Sequence, residues 1–264
     1  AGNIAYTLNL LGIPPLLLSA AGNDFGPYQE FLTRHHIDTS HISIHSDEST
    51  GSYFVVTDQD DNQIGSFYSG ATKYSPDLSL TSIKKSIDFV VVSPTDPKAM
   101  LKIVTESKSL KLPYLFDPAF QIDSFTISQL KSAISACHIL IGNDYEIALI
   151  EKKLGISHSE LVSRVPILVT TLGSYGSLIE TPKEKFAIRP AKPLNTSDPT
   201  GAGAAYRGGF LAGYLRKFDL QTCGQMGALA AVYTVEKYGT VTHKYTIAEF
   251  ESRYKKNYNQ PLRL

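Results

Sequence analysis

The strongest constraint on the fold is a series of short apolar runs that alternate with segments of helical periodicity. The runs lie at 88–93, 113–116, 138–141 and 167–171. The first, DFVVVS, contains a continuous apolar run (FVVV), as in a strand that is buried on both faces. Because strands that alternate with helices form parallel sheets, the series predicts an α/β fold with a mostly parallel central sheet and helices on both faces.

Helical periodicity surrounds these predicted strands. An earlier apolar run at 16–21 precedes the first long helical segment. Two strands at 177–180 and 186–189 are predicted to form a hairpin. The predicted helices span 24–34, 98–110, 128–136, 145–154, 203–216, 222–238 and 247–257. We find no linker or internal repeat, so we expect residues 1–264 to form a single domain.

One pair of predicted strands does not fit the β-α-β rhythm. Ser52–Thr57 and Gln63–Tyr68 alternate in polarity and flank a polar turn cluster at 58–62, which predicts a β-hairpin. The hairpin is too polar to be central, so we interpret the region at about 40–70 as a small β lid. Its aromatic residues either cover a base or sugar or only pack a small sheet. They are Tyr53, Phe54, Phe67 and Tyr68.

Composition excludes several classes of function. The 25 Lys and Arg residues balance the 25 Asp and Glu residues, so a dedicated nucleic-acid-binding protein is disfavoured. No apolar run is long enough for a transmembrane helix, and we expect no membrane partner. Cys137 and Cys223 form no CxxC pair or disulfide framework, which indicates a reducing compartment and a cytoplasmic protein.

The most unusual segment is rich in small residues and leads straight into a helix. It runs from Asn195 to Phe210 and includes the string DPTGAGAAYRGGF. Such a loop lets backbone N–H groups approach an anion closely, although a glycine-rich helix start without a ligand is the alternative. The string is neither a P-loop (GxxxxGK[ST]) nor a dinucleotide-binding GxGxxG after a first strand, so an NAD-dependent enzyme is disfavoured.

This segment closely resembles the C-terminal signature of the ribokinase-like (PfkB) family of carbohydrate and nucleoside kinases. Four further resemblances occur in the expected order, and together they cover residues 1 to about 240. They are Gly2–Gly12, Gly22–Gly26 (GNDFG), Asn143–Glu146 (NDYE) and Thr171–Gly176 (TLGSYG). The match is most similar to the bacterial adenosine-kinase-like branch. It implies a ribokinase-like three-layer α/β/α sandwich with a small β lid, ATP and Mg²⁺ as cofactors, and a nucleoside or sugar as substrate.

The resemblance also implies a role for each matching residue. Gly201, Ala202 and Gly203 would form an anion hole, and Glu146 would bind the metal. Asn3 and Asp24 would hold substrate hydroxyls. The residues implied in ATP binding are Asn143, Thr171, Gly173, Gly176 and Asp198.

The residues alone leave structural alternatives open. Asn143 and Glu146 have the spacing of a helix capping box, and Asp24 can cap a helix. Asp198 can be a turn-forming Asp, and Thr171–Gly176 can be a tight turn after a buried strand.

The chain departs from the family pattern at two places. Ala204 stands where the pattern GAGD has its catalytic base, and an Ala side chain cannot accept a proton. We therefore expect impaired catalysis, since general-base catalysis is worth about 10²–10⁴-fold in rate. The rest of the motif is intact, which favours an isolated or engineered Asp→Ala change over decay to a pseudokinase. The chain also begins inside the first motif, so we expect a truncated N-terminus.

Two functions therefore stay open. The first is an ATP-dependent kinase of a nucleoside or sugar that lacks its base, and the second is a catalytically dead protein that binds a nucleoside or nucleotide. The sequence does not distinguish nucleosides from free sugars. Since lid edges pair between subunits in some members of the family, the resemblance also suggests a homodimer.

Overall fold

The computed structural model describes residues 1–57, 63–83 and 86–264. The strands are β1 (Ser19–Gly22), β2 (Ile42–His45), β3 (Ser52–Thr57), β4 (Gln63–Tyr68), β5 (Val90–Val92), β6 (Tyr114–Phe116), β7 (Ile139–Asn143), β8 (Ile167–Thr171), β9 (Ser177–Glu180) and β10 (Lys185–Ile188). The helices are α1 (Gly2–Leu10), α2 (Gly26–Arg34), α3 (Pro97–Ser109), α4 (Ile127–Ile134), α5 (Asp144–Leu154), α6 (His158–Arg164), α7 (Ala202–Leu215), α8 (Leu220–Val235) and α9 (Ile247–Tyr258).

Six of the strands form the central sheet, in the order β10-β9-β8-β7-β6-β5. The four strands from β5 to β8 run parallel, as the apolar runs predict. The hairpin of β9 and β10 extends the sheet in antiparallel orientation beside β8. The carboxyl ends of β6, β7 and β8 therefore meet at one edge, where ligands bind in open α/β sheets.

Helices cover both faces of this sheet, because alternate side chains of each strand enter different cores. On β7, Ile139 and Ile141 pack with the helices α7, α8 and α9. The residue between them, Leu140, packs on the other face with α3, α4 and α5. The predicted three-layer α/β/α arrangement is confirmed.

Two short pairs of strands lie outside the central sheet. β3 and β4 form an antiparallel hairpin with the predicted bounds, and the polar cluster at 58–62 lies outside the described residues. β2 pairs in parallel with β1, so residues 42–45, inside the region predicted as a lid, belong to a separate sheet.

Close helix packing positions the start of α7. A Cβ atom added at Gly208 would lie 2.6 Å from the Thr7 Cβ on α1, and one at Gly209 would lie 2.6 Å from the Met226 carbonyl on α8. The missing side chains let three helices approach each other closely, which fixes α7 against the sheet. Within the described residues, none of the helices has the length and apolar character needed to cross a bilayer.

Candidate active site

The site lies at the carboxyl edge of the parallel strands. Asp117 directly follows β6, Asn143 ends β7 and Thr171 ends β8. Asn143 is aligned with Thr171 in the sheet register. The start of α7 reaches the same edge, because Arg207 of α7 pairs with Asp117.

The first turn of α7 is shaped by glycine. Gly201 caps the helix in the left-handed conformation, with φ of 88°. A Cβ atom there would lie 2.9 Å from the Thr240 Cβ, so a side chain is excluded both by the backbone and by the neighbour. Residues 201–204 are half-buried. Their backbone N–H groups lack partners inside the helix and carry positive potential, so this turn can bind an anion. The Ala202 N–H also donates to the Pro199 carbonyl, at 3.2 Å.

Asp198 holds the loop that precedes this turn. Its carboxylate accepts hydrogen bonds from the Thr200 N–H at 2.8 Å and from the Gly239 N–H at 3.0 Å. Burial alone would raise the pKa of Asp198, but these hydrogen bonds outweigh it and lower the pKa. Asp198 therefore ties two loops together as an ionised group. Its predicted contact with the nucleotide stays a prediction.

Asn143 and Glu146 form a capping box at the start of α5. The Asn143 side chain accepts the Glu146 N–H at 2.8 Å, and the Glu146 carboxylate accepts the Asn143 N–H at 2.8 Å. Burial raises the pKa of Glu146, while the hydrogen bond from Asn143 opposes this change. The capping alternative is thus confirmed, and the metal and ATP roles stay predictions.

The turn after β8 needs glycine at two positions. Gly173 has φ of 57° and Gly176 has φ of 96°. At Gly176 a Cβ atom would lie 2.1 Å from the Ile188 carbonyl oxygen. The tight-turn interpretation of this motif is confirmed. Thr171 is aligned with Asn143 in the sheet, so the turn that follows Thr171 lies at the edge of the site.

The two residues predicted to hold substrate hydroxyls lie in different surroundings. Asn3 on α1 accepts a hydrogen bond from the Thr240 hydroxyl at 3.3 Å, and Thr240 also borders Gly201. Asp24 is exposed and accepts the Thr50 N–H at 2.7 Å and the Thr50 hydroxyl at 2.6 Å. These bonds lower the pKa of Asp24. The cap position of α2 is Phe25, so the interpretation of Asp24 as a helix cap is wrong.

Ala204 lies in the first turn of α7 and is half-buried against the core that α7 shares with α8 and α9. Its methyl group offers no atom that can accept or hold a proton. The structure therefore places an inert side chain between the turn at Gly201–Gly203 and Arg207.

Sequence reasoning missed the buried ion pair of Asp117 and Arg207. Arg207 donates from Nη2 to Asp117 Oδ1 at 2.8 Å, and Asp117 is 3% exposed. The signals were an Asp directly after an apolar strand and a lone Arg in the small and apolar string AYRGGFLAGY. Neither residue reveals its partner, since 90 positions separate them.

The three-layer fold, with a half-buried helix start at the carboxyl edge of its sheet, defines a ribokinase-like kinase. Residues 1–246 match the sequence profile of the pfkB family of carbohydrate kinases, and this chain belongs to that family. The match confirms the family resemblance derived from the motifs.

Several similar relatives are named nucleoside kinases. The chain is 37% identical over 247 residues to the nucleoside kinase of Methanothermobacter thermautotrophicus. The alignment covers 92% of this chain and 79% of that protein. The Burkholderia thailandensis nucleoside kinase in complex with inosine has a TM-score of 0.97 at 30% identity, and covers 99% of this chain and 88% of that chain. The structure of the same kinase in complex with ADP-inosine has a TM-score of 0.94 at 30% identity. The match covers 98% of this chain and 82% of that chain. The Methanocaldococcus jannaschii nucleoside kinase, of the ribokinase family, has a TM-score of 0.91 at 31% identity, with 97% and 85% covered.

Proposed function

We propose that this chain is a nucleoside kinase that transfers the γ-phosphoryl group of ATP to a primary hydroxyl of the nucleoside ribose. The observation that carries the proposal is the half-buried start of α7 at Gly201. Asp198 holds the loop before it, and Arg207 lies over Gly203 and 4.0 Å from Glu146. The inosine and ADP-inosine complexes of the Burkholderia thailandensis kinase support a nucleoside over a free sugar as the acceptor.

The nucleotide would bind along the carboxyl edge of the sheet. The N–H groups of Gly201, Ala202 and Gly203 would face the phosphate oxygens, because amides at a helix start stabilise developing negative charge. Asp198 would keep this turn in place through Thr200 and Gly239. The residues proposed to border ATP on the neighbouring strands are Asn143, Thr171, Gly173 and Gly176.

The acceptor would bind between α1 and the hairpin. Asn3, held by Thr240 beside Gly201, would hold a ribose hydroxyl close to the phosphate turn. Asp24 would hold a second hydroxyl, since its ionised carboxylate is exposed between β1 and α2 and is bonded to Thr50, just before β3. The rings of Phe67 on β4 and Phe120 lie 6.1 Å apart. This aromatic pair connects the hairpin to the part of the chain that contains the central sheet. In the proposed complex, the pair would contact the base and help to exclude water.

Magnesium fits this site through Glu146. The described residues contain no cluster of three metal-binding side chains, and Mg²⁺ needs few because it keeps water ligands and binds substrate phosphates. Glu146 uses one oxygen for its cap hydrogen bond, and its second oxygen can accept from a metal-bound water. The ion would neutralise charge on the phosphate oxygens. We propose that this chemistry takes place in the cytoplasm.

We propose further that Ala204 impairs the reaction. Positioning and charge stabilisation by the other residues would remain, but no side chain at Ala204 can take the proton of the attacking hydroxyl. Restoring Asp at this position suits the fold, because a negative charge in the first turn of a helix is favourable.

The test compares the unmodified chain with A204D and with A204N, an isosteric control that has no proton-accepting carboxylate. Each protein is assayed for ATP-dependent phosphorylation of a panel of nucleosides and free sugars. We expect A204D to raise kcat by about 10²–10⁴-fold over the unmodified chain, with KM nearly unchanged. A204N should remain as slow as the unmodified chain.

Other outcomes would change the conclusion. Equal phosphorylation rates in the unmodified chain and A204D would show that Ala204 does not impair catalysis. Inosine and MgADP binding without turnover in A204D would favour the catalytically dead binding protein, for which Ala204 is the supporting observation. Absence of both binding and turnover would overturn the kinase proposal.

We also propose that the chain forms a homodimer through its hairpin. Phe54 pairs with Ser66, and Val56 pairs with Ile64, so these side chains share one face. Phe54, Val56 and Ile64 are 64%, 74% and 80% exposed. An apolar face of this kind at the tip of a small sheet is suited to a second copy of the chain.

A further inference from the structure

Arg207 and Asp117 form a buried ion pair beside the phosphate turn. The Arg207 Nε lies 2.6 Å from Asp117 Oδ2, and its Nη2 donates to Oδ1 at 2.8 Å. The two side chains are 10% and 5% exposed. Burial tends to lower the pKa of Arg207, but Asp117 outweighs this effect and raises it. Arg207 therefore keeps its charge in the folded protein.

Stability alone does not explain such a pair. Removing two charges from water costs free energy that their attraction often fails to recover, so well-packed apolar residues are commonly as stable or more stable. The neighbours of Arg207 on α7 illustrate this alternative, because Tyr206, Gly208 and Phe210 are all buried without a charge. A buried pair at the edge of a ligand site is a candidate for a functional role.

The Arg207 side chain connects this pair to the turn. Its Nη1 donates to the Gly203 carbonyl at 3.0 Å, so the guanidinium lies over the first turn of α7, as helical side chains generally lean toward the N-terminus. Its Nη2 lies 4.0 Å from the Glu146 carboxylate. A Cβ atom on Gly203 would be 3.0 Å from Nη1, so a side chain at this position would press on the guanidinium.

We infer that Arg207, held by Asp117, is a positioning residue that fixes the phosphate-binding turn of α7 and adds positive charge behind it. This inference rests on the proposed kinase function. It assigns Arg207 to the nucleotide phosphates rather than to the nucleoside. Asp117 contributes by holding the guanidinium with one hydrogen bond, from Nη2, and one ion contact, at Nε. A Lys ammonium cannot reproduce this planar, two-point contact.

The test uses Arg216, the residue directly after α7, as a matched control. Arg216 also donates from Nη1 to the carbonyl four residues before it, Ala212, at 3.1 Å, but it lies at the other end of α7. MgADP and inosine are titrated separately into the unmodified chain, R207Q, R207K and R216Q, and each melting temperature is measured. If the unpaired Asp117 unfolds R207Q, the double variant D117N/R207Q, which removes both charges, replaces it.

We expect R207Q to weaken MgADP binding by about tenfold or more, with inosine affinity within about twofold. R207K should recover part of the loss, and R216Q should bind both ligands normally even if it melts earlier. In the A204D background, R207Q should raise the KM for ATP and leave the KM for the nucleoside unchanged.

Two results would overturn the inference. Equal MgADP affinities in R207Q and R216Q would assign Arg207 a structural role only, as would parallel losses of MgADP and inosine binding. If neither the unmodified chain nor A204D binds MgADP, the proposed function itself fails, and the inference fails with it.

Discussion

At the residue scale, two glycines of the turn after β8 differ in what a side chain would meet. Gly176 has φ of 96°, and its Cβ position is 2.1 Å from the Ile188 carbonyl oxygen. Gly173 has φ of 57°, and its Cβ position has no atom within 4 Å among the described residues. The first position combines backbone strain with a collision, whereas the second has backbone strain alone.

We therefore expect G176A to destabilise the fold more than G173A. A left-handed Ala costs about 1–2 kcal/mol, which is the loss expected for G173A. The collision at Gly176 forces the β9–β10 hairpin to move, so G176A should lose at least about 3 kcal/mol. Urea denaturation of both variants measures the difference. Equal losses would show that the turn relaxes around the new methyl group.

Ala204 also shows how much chemistry can depend on one position. Its neighbours Gly201 and Gly203 keep the conformations and close contacts that a phosphate turn requires. In the proposed kinase, the absence of a base at position 204 would leave the proposed anion-binding backbone in place, since amides at a helix start do not depend on the side chain at position 204. In the proposed kinase, phosphate binding and proton transfer would be separable functions of this helix start.

At the scale of elements, apolar patterning predicted the strands well. The prediction for β8 has the observed bounds, as do those for β3 and β4. The sequence did not predict β2 or α6. β2 has four residues with little burial, and α6 has seven residues of which only Leu161 is buried. Such short elements depend on their neighbours, which local patterns do not contain.

Only those site residues that belong to a recognisable sequence motif were predictable. Asn143, Glu146 and Gly201 lie at the sheet edge, as their motifs indicate. The partners that hold them came from distant segments, such as Thr240 beside Asn3 and Asp117 beside Arg207. These contacts depend on how the layers stack, and periodicity along one chain carries no information about them.

A histidine links three elements at the opposite end of the sheet. His158 of α6 contacts Glu151 of α5 at 2.7 Å and Glu180 of β9 at 2.8 Å. Burial opposes a charge on His158, but the two carboxylates outweigh it and raise its pKa. Burial also opposes the charge on Glu180, yet Lys185 and His158 lower the pKa of that carboxylate.

The sign of the pH dependence follows from these directions. The raised pKa of His158 means that its contribution to stability is full below about pH 6.5, the ordinary histidine value, and is lost as pH rises through the folded value. The lowered pKa of Glu180 means that its contribution is lost in acid. The network should therefore stabilise the fold most between about pH 5 and 6.5.

We expect H158Q to lose stability near pH 6 and to approach the unmodified chain near pH 9. The loss should not exceed about 1 kcal/mol, because the His158 side chain is 43% exposed and solvent screens the pair. Denaturant unfolding at both pH values measures it. An equal loss at both would mean that His158 contributes packing rather than charge.

At the scale of the whole molecule, the hairpin presents two different faces. The face with Tyr53 and Phe67 contacts the rest of the chain where Phe67 meets Phe120, although Tyr53 and Phe67 are still 60% and 46% exposed. The other face, with Phe54, Val56 and Ile64, is exposed. A lid that only covered a substrate would need one apolar face, so the second face favours the proposed homodimer.

We expect the chain to dimerise in a concentration-dependent manner, and I64K to shift it to the monomer. A Lys side chain buried in the interface without a partner is costly. A stable interface needs about 800 Å² from each subunit, and the hairpin face would form the centre of that area. I44K is the matched control, since Ile44 is also exposed, at 52%, but lies on β2 outside the hairpin. Sedimentation velocity over a wide concentration range distinguishes the variants. A monomer at every concentration, or an I64K dimer as tight as that of I44K, would contradict the proposed interface. Because this face turns away from Phe120, I64K should leave inosine affinity unchanged.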